Sequence, residues 1–294
     1  MRQRQLLCLI STTILVMALL GCSKDSVEEG NYDTWTAGLV TAEVDDNLLY
    51  FVPANDGQGM MLTFDRTQMT FERMVQMSGG SVPEQDGGTG EAGLLTYQGN
   101  VIIPRTVNGK SVTAIDQYAF SGNAELLSVT VPDCVTEIGP ESFGACPKLT
   151  TVTLPDTITA IQKGTFCGKS VQTLSVPNSV RTIGRMAFLK NTRLEEITFC
   201  ADSQLETIET SAFSGCTSLI SIVLPATLTT LGNLSFSGCS KLKTIHLQSA
   251  TPPNVSGSAG FVSSATIYIP AGSLEAYLKA EYWNTINSEN YKEE

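Results

Sequence analysis

The chain has 294 residues, with 18 Lys and Arg against 29 Asp and Glu, for a formal net charge of −11. So acidic a surface repels phosphate backbones, which argues against a nucleic-acid partner. A single histidine excludes a His-rich metal centre, and the length allows a sizeable core.

In chain order, Arg2 and Arg4 precede an apolar run from Leu6 to Leu20. That run is shorter than the ~20 residues a membrane-spanning helix needs, and it reads as a signal peptide over residues 1–21. Its end, Leu19-Leu20-Gly21-Cys22, resembles a bacterial lipobox, with Leu20 a less usual choice at its position. The resemblance implies that Cys22 is acylated and that the chain meets the membrane through this lipid anchor. The alternative is ordinary secretory cleavage nearby, with Cys22 incidental. Residues 22–33 are polar, carry Asp25, Glu28 and Glu29, and read as a flexible tether. Acidic residues just after the lipid cysteine resemble surface-export signals. Loss of residues 1–21 takes two arginines and no acid, so the net charge becomes −13.

Residues 34–77 hold strand-like runs: Leu48 to Val52, Met60 to Phe64 and Met69 to Val75. Asn55-Asp56-Gly57 and Asp65-Arg66-Thr67 between them suit hairpin turns. The expectation is a small antiparallel β element that covers one open end of the larger C-terminal region. Residues 78–93 are Gly-rich and acidic, and lack the Gly-Lys-Ser/Thr ending of a phosphate loop. They read as a linker or loop.

From about Val112 to Gln248 the chain repeats itself. Phe120, Phe143, Phe166, Phe188, Phe213 and Phe236 recur at steps of 23, 23, 22, 25 and 23. A fixed period of this size marks a solenoid. The common pattern is V-T-x-I-G-x-x-A-F-x-x-C-x-x-L-x-x-V-x-L-P. Its L-x-x-V-x-L core predicts a strand with alternate apolar residues inward. Pro132, Pro155, Pro177 and Pro225 end that strand, because proline has no N–H for the ladder. V-T-x-I is a second, shorter extended piece, and Phe with a small neighbour fills the corner between them.

This pattern resembles the BspA-like family of leucine-rich repeats, over Val101 to about Ile286. The lead-in Val101-Ile-Ile-Pro104 with Val107-Asn-Gly-Lys110 resembles that family's first coil. Ile267-Tyr-Ile-Pro-Ala-Gly-Ser-Leu-Glu-Ala-Tyr277 resembles its terminal cap. The fold expected is therefore a leucine-rich-repeat solenoid over residues 94–286, a parallel β ladder with short turns. A small β element precedes it, a short C-terminal helix cap closes it, and a polar tail occupies 287–294. The resemblance implies a surface lipoprotein of the outer membrane that binds host proteins or acts in adhesion, with no reaction and no cofactor. Within the cap, Ser273 is placed to begin a helix whose Leu274, Tyr277 and Leu278 share one side. Tyr282 and Trp283 are expected to seal the last coil.

Six cysteines other than Cys8 and Cys22 remain. Cys146, Cys216 and Cys239 share one repeat position, held by Asn123 and Asn191 elsewhere. An inward slot suits both, so buried thiols are favoured over a disulfide, although adjacent coils bring Cys216 and Cys239 within bridging range. No Cys-x-x-Cys occurs, so no zinc site is expected.

Outward positions come from the x residues of L-x-x-V-x-L. Coil by coil they are Ser128 and Thr130, Thr151 and Thr153, Thr173 and Ser175, Glu196 and Thr198, Ser221 and Val223, and Thr244 and His246. Nine of these twelve are Ser or Thr, so the face is hydroxyl-rich and almost uncharged. It is the candidate binding surface for a host or environmental protein or for a glycan; threonine's fitness for a soluble strand is the favoured account of the same residues. Aromatic platforms expected for sugar stacking are absent from this face, which counts against a glycan. The fourth coil is irregular: Cys200 replaces the strand-ending proline, and Ala201-Asp-Ser-Gln204 bulges near Glu195, Glu196, Glu206 and Glu209. A calcium cluster is conceivable there, but the acids lack a metal-loop spacing and suit a solvated loop. Asp156-Thr157-Ile158 and Asp25-Ser26-Val27 resemble a short O-glycosylation acceptor. Three functions are weighed: a surface-anchored binding or adhesion protein, favoured; an accessory envelope lipoprotein; and an enzyme acting through the N-terminal element, for which His246 is the only imidazole base.

Overall fold

Alternating inward side chains with a proline after each strand build a coil that must stack to bury its apolar edge. The computed structural model describes residues 40–44, 47–54, 59–63 and 97–294. The expected signal peptide and tether, Cys22, Asp25-Ser26-Val27, the run Met69 to Val75 and residues 78–93 lie outside the described residues.

Strands β1 (Val40–Val44), β2 (Asn47–Pro53) and β3 (Met60–Thr63) form an antiparallel meander. The apolar runs at Leu48 and Met60 fall on β2 and β3. β1, Val-Thr-Ala-Glu-Val, has too little apolar character to announce itself in the sequence. The chain continues through β4 (Gly99–Ile102), β5 (Thr106–Val107) and β6 (Lys110–Ile115). β3 lies parallel beside β6, with Met60 opposite Val112 and Leu62 opposite Ile115. Leu49, Phe51 and Leu62 thereby enter the same buried core as the repeats.

From β7 onward each coil gives one front strand, from L-x-x-V-x-L, and one short back strand, from V-T-x-I. They are β7 (Leu126–Thr130), β8 (Glu137–Ile138), β9 (Thr151–Thr153), β10 (Ala160–Ile161), β11 (Thr173–Val176) and β12 (Thr182–Ile183). Then come β13 (Glu196–Phe199), β14 (Thr207–Ile208), β15 (Ser221–Leu224), β16 (Thr230–Leu231), β17 (Thr244–Leu247), β18 (Asn254–Val255) and β19 (Thr266–Ile269). All pairings between coils are parallel and join like positions, for example Val129 with Val152 in front and Ile183 with Ile208 behind.

The repeat phenylalanines form one interior file. Phe120, Phe143, Phe166, Phe188, Phe213 and Phe236 are each fully buried. Successive rings stack with centroids 4.9–5.5 Å apart and planes within 18°. Each such pair adds about 0.5–1.5 kcal/mol beyond its area burial. The shared Cys/Asn slot ties coil to coil. Cys146, Cys216 and Cys239 direct their thiols to the carbonyls of Phe120, Phe188 and Phe213 at 3.0–3.2 Å. Ser170, at this place in the 22-residue coil, donates likewise to the Phe143 carbonyl at 2.8 Å. The six described cysteines are all free thiols.

The C-terminus closes the stack. Helix α1 (Leu274–Lys279) has Ser273 at its N-cap position, but the Ser273 hydroxyl donates back to the Pro270 carbonyl and does not cap the helix. Tyr277 is buried and Leu278 is exposed, because the helix turns only a narrow edge to the last coil. Trp283 is fully buried and donates from Nε1 to the Pro253 carbonyl at 2.7 Å, sealing that coil as expected. Residues 287–294 are not a loose polar tail. They form a short 3-10 turn (Ser288–Asn290) and β20 (Tyr291–Glu293), which pairs parallel with β19. Tyr291 is the physical reason: its ring packs against Tyr277 and its hydroxyl donates to the Trp283 carbonyl at 2.8 Å.

Candidate functional face

Front strands alternate buried and outward residues, so every second side chain faces solvent. Val129, Val152, Leu174, Ile197, Ile222 and Ile245 point inward and are at most 4% exposed. The residues flanking them make two columns running from coil to coil. One column aligns Ser128 with Thr151, Thr173 with Glu196, and Ser221 with Thr244. The other aligns Thr130 with Thr153, Ser175 with Thr198, and Val223 with His246. All twelve predicted positions are exposed or half-buried. The front strands form three sheets, β4–β7–β9, β11–β13 and β15–β17–β19–β20. The first two are bridged where the Gln172 and Thr173 N–H groups donate to the Thr150 carbonyl. Between β13 and β15 the ladder is broken, next to the irregular coil.

Some threonines elsewhere in the coil are engaged, while those aligned on the back strands, Thr182, Thr207 and Thr230, make no side-chain hydrogen bond among the described residues. Thr136, Thr150, Thr157, Thr227 and Thr229 donate their hydroxyls to backbone carbonyls of the preceding coil. On the front face the Ser128 hydroxyl donates to Asn100 at 2.7 Å. Thr130, Thr151, Thr153, Thr173, Ser175, Thr198 and Ser221 make no side-chain hydrogen bond among the described residues, so their donors and acceptors face solvent.

The columns extend beyond the predicted residues. Upstream, β4 adds Asn100 opposite Ser128 and Ile102 opposite Thr130, the latter 55% exposed. Downstream, β19 adds Thr266 opposite Thr244 and Tyr268 opposite His246, and β20 adds Lys292 opposite Tyr268. The face therefore does carry aromatic rings. His246 and Tyr268 stack with centroids 4.4 Å apart and planes 6° apart, and His246 Nδ1 lies 2.8 Å from a Glu294 carboxylate oxygen. The signal was present in the sequence: Thr266-Ile-Tyr-Ile-Pro270 repeats the spacing of Thr244-Ile-His-Leu247. Its assignment to a cap hid its role as a front strand.

The irregular fourth coil is held by polar cross-links. Arg181 reaches Glu206 at 2.5 Å and Gln204 at 2.6 Å, and Asn178 donates to Asp202 at 3.0 Å. Glu209 accepts from the Arg185 N–H at 2.8 Å. These carboxylates are spent on neighbouring coils, and among the described residues no group of three metal-ligating side chains comes together. The calcium reading gains no support from this arrangement. The buried Cys146 thiol is pushed up to about 12 by desolvation, which makes it a packing group with little thiolate character at neutral pH.

Coils of one strand, one turn and one short return strand, with L-x-x-V-x-L on the long side, define a leucine-rich-repeat solenoid. The chain belongs to the BspA type leucine-rich repeat family, whose model matches residues 100–204 and 201–267 in six copies, more than half of the chain. Among solved structures, it is similar to the leucine-rich repeat protein of T. pallidum, at 22% identity and a TM-score of 0.40, covering 70% of this chain and 72% of that one. A leucine-rich cell surface protein from Faecalibacterium prausnitzii is 20% identical, with a TM-score of 0.47 over 79% of this chain and 65% of that one. A leucine-rich repeat protein from Bacteroides ovatus is 18% identical, with a TM-score of 0.44 over 77% and 70%. No curated protein matches the chain.

Proposed function

We propose that this chain is a non-catalytic surface protein of the outer membrane, anchored through Cys22, that binds an extracellular protein or glycan on the front face of its solenoid. One observation carries the reading. The outward columns hold exposed or half-buried, nearly uncharged side chains, and apart from Ser128 their hydroxyls make no hydrogen bond among the described residues. A face with no structural task for its polar groups is free to take a partner. The lipobox-like Leu19-Leu20-Gly21-Cys22 supports anchoring, and the F. prausnitzii protein, described as a cell surface protein, supports the location.

Probing a glycan and extracellular-matrix array with the purified chain tests the reading. Thr153→Lys with Thr198→Lys places bulky cations in one column, and the double variant is expected to lose the captured partner while keeping its thermal midpoint. Unchanged capture would move the site off this face. Protease treatment of intact cells tests location, and full protection would place the protein inside the envelope.

A further inference from the structure

We propose that the grid on β7, β9, β11 and β13 docks an uncharged, unbranched polysaccharide that lies across the strands, along the direction in which the coils stack. This rests on the front face being the binding surface, and it names the partner of that face.

Four observations carry the assignment. The grid has eight positions in two columns: Ser128, Thr151, Thr173 and Glu196, and Thr130, Thr153, Ser175 and Thr198. Seven are hydroxyls, and only Ser128 is spent on a protein side chain. A threonine side chain offers a donor, an acceptor and a methyl group, which matches a sugar ring edged with hydroxyls and faced with C–H groups. Second, the charge fits a neutral partner. The chain carries −11 overall, yet Glu196 is the sole charge in the grid, so a polyanion is repelled and a charged peptide finds little to pair with. Third, the grid has no cluster of the aromatic or large apolar anchors that protein partners use. Protein interfaces centre on buried aromatic or large apolar contacts. Here a single large apolar side chain on the grid strands, Leu127 on β7, is 41% exposed; Ile102 and Val223, 55% and 46% exposed, lie beyond the two ends of the grid, and the His246 and Tyr268 rings stack on each other past the break after β13.

The fourth observation is spacing. Neighbouring strands stand ~4.8 Å apart, and alternate residues along a strand about 6.6 Å apart, so equivalent hydroxyls recur once per coil over about 14 Å. A linear polymer of identical units meets a pair of hydroxyls at three of the four steps and Glu196 with Thr198 at the fourth. Each contact is weak, and binding grows by repetition.

The test uses calorimetry on the purified full chain with unbranched gluco-, manno- and galacto-oligosaccharides, from disaccharide to heptasaccharide, and an oligouronate as the anionic counterpart. In at least one neutral series, affinity is expected to rise with length to about the tetrasaccharide and then level off, with the oligouronate silent. Thr153→Val with Ser175→Ala removes two grid hydroxyls at nearly constant shape and is expected to weaken binding about tenfold without moving the thermal midpoint. Thr207→Val, on the back of the coil, should change nothing. The assignment is overturned if no neutral series binds with length dependence, if the oligouronate binds as well, or if the double variant binds undiminished. Capture of a matrix protein by the parent chain, lost in Thr153→Lys, would leave the face as the binding surface and remove the polysaccharide.

Discussion

Ser142 and Ser235 are fully buried beside Phe143 and Phe236, in the slot that Ala119, Ala187 and Ala212 fill in other coils. Their hydroxyls find no hydrogen-bond partner among the described residues. An unmet buried hydroxyl costs about 1–3 kcal/mol, and alanine already fits the slot. Ser142→Ala should therefore leave the thermal midpoint unchanged or raise it by a few degrees, and a clear fall would reveal an unseen partner for the hydroxyl. Asn191 shows the opposite balance: its buried amide donates to the Val171 carbonyl and accepts from the Ser170 N–H, so its polar atoms are matched. Titration of Cys146 gives a second prediction. Burial raises its folded-state value to about 12 from an ordinary 9.0, so the thiol holds its proton more tightly in the folded chain. Its contribution is fully present below pH 9 and is lost as pH rises towards 12, at about 1.4 kcal/mol per pH unit. Burial shifts Tyr277 and Tyr291 in the same direction. Thermal midpoints should fall with increasing steepness above pH 9, and Cys146→Ser should flatten the early part of that fall. A pH-independent midpoint would contradict the burial of these groups.

Each back strand is followed by one residue in a column of its own: Asp116, Gly139, Gln162, Gly184, Glu209, Gly232 and Ser256. Glycine and polar residues alternate along it. A Cβ on Gly232 would meet the Glu209 carbonyl carbon at 2.3 Å, and one on Gly139 would meet the Gln117 nitrogen at 2.5 Å. Every second coil thus sits against its predecessor too closely for any side chain. Gly232→Ala should destabilise by about 1–3 kcal/mol through overpacking, read as a lower denaturation midpoint. Gln162→Ala, on a coil without that contact, should stay near the parent value. Glycine was visible in the repeat consensus, but the alternation was not, because it depends on how neighbouring coils meet. The same distinction runs through the front face. Which residues point outward was legible from the period of two in L-x-x-V-x-L. Which hydroxyls are spent was not, since Thr150 and Thr151 are adjacent and identical, and only the first lies against a carbonyl of the coil before it. The N-terminal meander was legible where its strands are apolar, at β2 and β3, and silent at β1. Its parallel docking on β6 depends on a partner more than 40 residues away, beyond the reach of local pattern.

A solenoid is held together by contacts between neighbouring coils, so its two ends differ physically from its middle. Repetition explains why Phe120 to Phe236 could be read from spacing alone, and why the last strand could not. β20 has no counterpart in the period, its sequence Tyr-Lys-Glu is polar on two of three residues, and only Tyr291 fixes its place. Its position gives it a task. Without β20, the outer edge of β19 would show unpaired N–H and C=O groups, a template for pairing with another chain. With it, the exposed edge is three residues long and carries Lys292 and Glu293, short and charged as protected edges are. Deletion of residues 287–294 should therefore do two separable things. It removes the burial of Tyr291, about 1.5–3 kcal/mol of apolar contact, and lowers the thermal midpoint. It also bares β19, so the truncated chain should self-associate with rising concentration in sedimentation or light scattering while the parent stays at constant size. Tyr291→Ala in the full-length chain separates the two effects. If packing alone matters, it reproduces both losses; if the strand guards the edge through its backbone, it lowers the midpoint with little association. A truncated chain that keeps its midpoint and its size would assign the whole closure to α1 and Trp283.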